Sequence, residues 1–229
     1  LLDVDTLSVK ITKRLPDIID LSINNIGIEY ELANTNYKFN PQKGNELKFL
    51  LTAGTKKIRP NNSIVQIKDP TFNYKKLYDS ISENTYQFSI KLNAAQYFKI
   101  KKQSVFKIGM QAGLLQSPTI FRNEMFQIGG YRLLRGFDEE SIFSSSYAVS
   151  TLEYRYLLGT NSYFAAFTDF GYSDNSITKI SNNFIGGGLG FSVETKQGIL
   201  NISFAAGKRN DLAFNLRQSK IHLGFVSLF

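Results

Sequence analysis

With no cysteine and a single histidine, His222, this chain of 229 residues lacks the raw material for most site chemistries. Disulfide frameworks, thiolate metal sites and thiol nucleophiles all need cysteine, and one imidazole has no second to build a metal cluster with, so neither an enzyme, a metal site nor a cofactor is expected. Lys and Arg number 27 against 19 Asp and Glu, a net charge of +8. The basic pairs Lys56-Lys57, Lys75-Lys76 and Lys101-Lys102 lie scattered through apolar alternation and form no tract, which argues against nucleic acid as a partner.

No apolar run approaches the ~18 residues that a membrane-spanning helix needs. A barrel strand crosses with about ten residues and turns every second side chain away from lipid, so its hydropathy is unremarkable. A mean hydropathy of −0.18 together with 19 Phe and 12 Tyr suits that class as well as a globular one. The sequence opens at Leu1 without a signal peptide, which leads us to expect a processed chain or a piece of a longer one.

Along the chain, period-two alternation predicts strands and there is no sustained helical period. The first candidates are Leu7–Thr12, Ile23–Leu32, Leu47–Lys56, Tyr86–Ile100 and Ser104–Leu115. A very long connection follows, about 116–143. In Ala148–Tyr156, Thr151, Glu153 and Arg155 oppose Leu152, Tyr154 and Tyr156. In Tyr163–Tyr172, Phe164, Ala166, Phe170 and Tyr172 oppose a face holding Asp169 and Gly171. From Ile185, apolar Ile185, Leu189, Phe191 and Val193 alternate with Gly186, Gly188, Gly190, Ser192 and Glu194. Leu200, Ile202, Phe204 and Ala206 alternate with Asn201, Ser203 and Gly207, and Ile221, Leu223 and Phe225 with Lys220, His222 and Gly224. The expectation is an all-β, antiparallel chain of about ten strands.

The connections separate a soluble sandwich from a membrane barrel better than the strands do. Counting back from Phe229 they alternate long and short: about 209–218, 195–198, 173–182, 158–161, 116–143, 101–103 and 57–85. Outer-membrane barrels combine tight periplasmic turns with freely growing outer loops. The link 33–44, about a dozen residues on the short side, breaks the pattern. A soluble β-barrel or sandwich, with one strand face buried against a core and no need of lipid, is the alternative.

The long connection contains Phe126-Gln127-Ile128-Gly129-Gly130-Tyr131-Arg132-Leu133-Leu134-Arg135-Gly136-Phe137. It resembles the loop of the outer-membrane protein 85 superfamily in which a Gly-Gly pair precedes Arg-Gly-Phe or Arg-Gly-Tyr. The resemblance implies that the loop folds back into a barrel lumen and that Arg135 meets acidic side chains on the next two strands, here Glu153 and Asp169. Electrostatics agrees with that grouping: a buried guanidinium cannot shed its proton and needs carboxylates, which its planar fork can grip in pairs. Gly129, Gly130 and Gly136 would let the loop turn on itself. Asn40-Pro41-Gln42-Lys43-Gly44 is similar to an Asn-Pro-x-x-Gly turn of the family, and His222, Gly224 and Phe229 to its C-terminal signal strand, although Ser227 stands where an apolar residue is usual.

Members of that superfamily generally form a sixteen-stranded transmembrane barrel behind periplasmic polypeptide-transport-associated domains. With about ten strands, the whole of 1–229 is expected to be the C-terminal part of such a barrel, or a reduced member of the family. The resemblance implies a bacterial outer-membrane protein that inserts or translocates proteins, its partners being outer-membrane lipids, a client outer-membrane or secreted protein, accessory lipoproteins and another copy of itself. A substrate-specific exporter or pore, and the membrane anchor of an upstream patatin-like lipase, are the alternatives; no Gly-x-Ser-x-Gly motif occurs in this chain.

Overall fold

The computed structural model describes residues 4–79, 81 and 83–227, so Phe229 lies outside the described residues. The alternating segments become strands because each pairs with its sequence neighbour along almost its full length, satisfying backbone donors and acceptors in ladders. In chain order these are β1 (Leu21–Thr35), β2 (Gly44–Ile58), β3 (Asn84–Lys101), β4 (Ser104–Gln116), β5 (Phe126–Ile128), β6 (Ile142–Ser144), β7 (Ser146–Leu157), β8 (Tyr163–Asn175), β9 (Ile180–Glu194), β10 (Gly198–Arg209) and β11 (Lys220–Ser227).

All except β5 and β6 form one antiparallel sheet of nine strands in the order β1-β2-β3-β4-β7-β8-β9-β10-β11, while β5 and β6 pair with each other inside the long connection. The sheet does not close: β1 and β11 are its two edges. Nine of the ten expected strands are present in it. The tenth, Leu7–Thr12, is helical. Leu7, Val9 and Ile11 alternate as a strand would, but Asp5 Oδ1 accepts the amides of Leu7 and Ser8 at 3.0 and 3.1 Å and caps a short helix, α1 (Thr6–Thr12).

The register sorts the sheet into two faces. Side chains from Ile28 and Tyr30 on β1 pair across to Leu51 and Phe49 on β2, and Ile108 on β4 to Leu152 on β7. Phe170 on β8 pairs with Ile185 on β9, and Ile202 on β10 with Leu223 on β11. This face is largely apolar from edge to edge, broken by Gln96, Ser150 and Thr168, and exposed, with Leu189 at 67% and Leu223 at 69%. An exposed apolar surface of this extent is unfavourable in water and marks a surface of contact with apolar surroundings. The opposite face carries Lys56, Glu153, Arg155, Asp169, Asn201 and His222, all buried.

Connections at one end of the sheet are short (36–43, 102–103, 158–162, 195–197) and those at the other are long or structured. The anomalous link 33–44 is resolved by strand length, since pairing continues through Thr35↔Gly44 and leaves only 36–43 as turn. At the long end, α1, α2 (Asn62–Val65) and α3 (Lys76–Asp79) pack around Val9, Ile19, Ile58, Ile64, Tyr74, Tyr78 and Phe121. This small core ties the helical segments to the tip of β2.

Candidate functional site: a loop fastened to the polar face

The connection 117–145 is ordered from its base. Pairing of Phe126, Gln127 and Ile128 with Ser144, Phe143 and Ile142 draws its two arms together. At the tip, Gly130 N–H donates to Leu134 O at 3.0 Å and Leu134 N–H to Gly130 O at 3.2 Å, a tight turn. Gly129 and Gly130 have φ of 114° and 92°, and a side chain at Gly130 would overlap the Glu139 carboxylate, which accepts the Tyr131 amide at 3.0 Å. Glycines at both positions are thus set by backbone geometry and by space. The turn delivers Leu134, fully buried, onto Val149 and Phe184 of the sheet.

Arg135 follows. Its Nε and Nη2 donate to Asp169 Oδ2 and Oδ1, each at 2.8 Å, its Nη1 to Glu153 Oε2 at 2.7 Å, and its amide to Asp169 Oδ2 at 3.1 Å. The guanidinium also lies over the Phe167 ring, 3.4 Å from the centroid. Burial opposes its charge, but hydrogen bonding to Asp169 and the charge of Glu153 outweigh that cost and raise its pKa above the ordinary value. The carboxylates are themselves filled: Thr151 Oγ1 donates to Asp169 Oδ1 at 2.8 Å, and Arg155 Nε to Glu153 Oε1 at 2.7 Å. Arg155 Nη1 reaches Asn40 Oδ1 at 2.9 Å, and Asn40 Nδ2 donates to Thr160 O at 2.8 Å. The chain of contacts therefore runs from the loop, through Glu153 and Arg155 of β7, to the turns at the far end of the sheet.

Close approach of the loop is possible because glycines of β9, β10 and β11 stand beneath it. A Cβ on Gly186 would overlap the carbonyl oxygen of Arg135. One on Gly207 would lie 2.7 Å from Gly136 O and 2.8 Å from the Phe137 ring, and one on Gly224 2.8 Å from the Tyr131 ring. Phe137 meets Phe184 edge to face at a centroid distance of 5.2 Å. Gly136, at φ 93°, donates its amide to His222 Nε2 at 3.1 Å, so the loop also touches β11. His222 acts here as a hydrogen-bond acceptor for backbone.

Arg135, Glu153 and Asp169, separated by up to 34 residues, are thus brought together, with Gly136, Phe137, His222 and Gly224 around the same loop. A second fastening was not expected from the sequence. Lys56 of β2 and Glu124 of the loop have fully buried side chains and pair at 2.9 Å. Lys56 Nζ also donates to Thr119 O, and Glu124 Oε2 accepts the Phe121 amide at 2.9 Å. Lys56 reads in the sequence as half of a surface basic pair, and only the register, which turns it to the polar face, marks it as different from Lys57.

A sheet with one face largely apolar and exposed and the other occupied by a charge-fastened loop defines a class of antiparallel β-sheet proteins that fold a loop back over their strands. The chain belongs to the Omp85 superfamily: the model of the Omp85 superfamily domain matches residues 20–223. This is in general a family of bacterial outer-membrane proteins concerned with protein insertion or transport. Comparison with curated proteins finds no match.

Proposed function

We propose that the chain supplies nine strands of a transmembrane barrel in the bacterial outer membrane that inserts or translocates client proteins. The polar face lines the lumen, and Arg135 holds the loop inside it. The observation that carries this reading is the pairing of a charge-fastened loop on one face with a broad, exposed, largely apolar surface on the other. In lipid, the unpaired backbone groups along β1 and β11 each cost several kcal/mol, roughly, so further strands, from a longer chain or from a second copy, complete the barrel. The β11 edge is the natural template for strand addition to a client, main-chain hydrogen bonds supplying the affinity. Arg135, Glu153 and Asp169 position the loop and do no chemistry.

The test is client insertion in proteoliposomes containing the full-length protein, read as protease protection of a barrel client. Arg135→Ala is expected to reduce insertion strongly while the protein remains in the bilayer. Insertion at the wild-type rate with Arg135→Ala would remove the role assigned to the loop. Single-channel conductance that the client does not compete would instead favour a plain pore.

A further inference from the structure

The two ends of the sheet differ in charge. The short connections, 36–43, 102–103, 158–162 and 195–197, contain Lys38, Lys43, Lys102 and Lys196 and no aspartate or glutamate. At the adjoining strand ends, Lys101, the last residue of β3, adds a fifth cation and Glu194, the last of β9, one exposed anion, which leaves the rim strongly cationic. All five lysines are exposed, and among the described residues none takes part in an ion pair. The long connections interleave both signs, as in Asp138-Glu139-Glu140 beside Arg132 and Arg135.

Next to this cationic rim, on the apolar face, the ladder aligns a row of aromatic side chains. Phe98 of β3 pairs with Phe106 of β4 and Phe106 with Tyr154 of β7. Tyr156 pairs with Phe164 of β8 and Phe164 with Phe191 of β9, whose rings are 4.8 Å apart. Aromatic rings on the lipid side of a barrel settle at headgroup depth. Lysines one step beyond them stand at the level of the phosphates, where each contributes to attraction toward an anionic surface.

We propose that the short-connection rim is a binding surface for anionic phospholipid headgroups, the aromatic row fixing depth and the five lysines engaging the phosphates. This rests on the reading of the chain as a membrane-spanning sheet. A planar leaflet fits better than a protein partner because the cations are spread over three separate connections along the sheet, each beside the apolar face, and do not gather into one patch.

The full-length protein is reconstituted in phosphatidylcholine bilayers carrying a trace of spin-labelled phosphatidylglycerol or spin-labelled phosphatidylcholine, and the motionally restricted fraction of each label is compared. The surface predicts that phosphatidylglycerol is favoured on the order of threefold to fivefold. The preference falls to parity when Lys38, Lys43, Lys101, Lys102 and Lys196 are all changed to Gln, and persists when Lys68, Lys75 and Lys76 at the other end are changed instead. Raising salt on the wild-type protein gives the same loss without any substitution. Equal restriction of the two labels overturns the proposal and leaves an anionic protein as the occupant of the rim. A preference unmoved by the five substitutions overturns it as well. Absence of restricted lipid for either label overturns the membrane reading itself, and the proposal with it.

Discussion

Arg135 and Asp169 meet as a two-pronged pair, Nε to Oδ2 and Nη2 to Oδ1, both at 2.8 Å, with the arginine's own amide on Oδ2 at 3.1 Å. The side chain and the backbone of one residue are thus held by a single carboxylate. That carboxylate is fully buried. Removing one partner of such a pair strands a buried charge, at a cost of about 3–5 kcal/mol.

Arg135→Ala should therefore lower the temperature at which the protein loses its compact, heat-modifiable migration on gels. Arg135→Lys keeps the charge but offers a point where a fork is needed, and should fall between the alanine variant and the wild type. Equal transition temperatures for all three would mean that the pair is not holding the loop.

The seat under Arg135 makes a different demand. Because a Cβ at Gly186 would overlap the Arg135 carbonyl oxygen, a backbone atom that cannot swing aside, Gly186→Ala should lift the loop tip and expose 129–140 to protease in the folded protein. Gly159→Ala, where the nearest atom would be 3.8 Å away, should leave the cleavage pattern unchanged.

Lys56 and Glu124 form a second fastening with no exposure of either side chain. Lys56→Met alone leaves the carboxylate buried without its cation and should destabilise by about 3–5 kcal/mol. Lys56→Met combined with Glu124→Gln should recover part of that loss, giving a favourable coupling in a double-mutant cycle of denaturant unfolding. Strict additivity would contradict a direct pair.

His222 accepts the Gly136 amide through Nε2, which requires the neutral ring with its proton on Nδ1. His222→Gln retains an acceptor and should preserve hydrogen-exchange protection of the Gly136 amide. His222→Leu orphans that donor, which costs about 1–3 kcal/mol, and should abolish the protection.

Strand identity was legible because period-two alternation coincides with one exposed apolar face: Leu152, Tyr154 and Tyr156 are exposed on one side of β7, with Thr151, Glu153 and Arg155 on the other. Strand ends were less so. β1 runs on to Thr35 through polar Asn34 because pairing is driven by backbone groups and not by side-chain pattern. Leu7–Thr12 misled because its apolar residues alternate, while the deciding contact is a local cap from Asp5. In the site, Arg135, Glu153 and Asp169 could be grouped by charge, but the partnership of Lys56 with Glu124, 68 residues apart, depends on which way a loop folds over the sheet. The glycines at 186, 188 and 190 were visible as an alternation. The overlap of a Gly186 side chain with the Arg135 carbonyl became visible only with the loop in place.

The proposed function sets the apolar face against lipid while the polar face carries the loop. A spin-label scan of β8 from Phe164 to Tyr172 in the reconstituted protein tests it directly, the chain having no native cysteine. Oxygen accessibility should peak at Phe164, Ala166, Thr168, Phe170 and Tyr172 and drop at Ala165, Phe167, Asp169 and Gly171. A flat profile, or maxima at the odd-numbered positions, would contradict it.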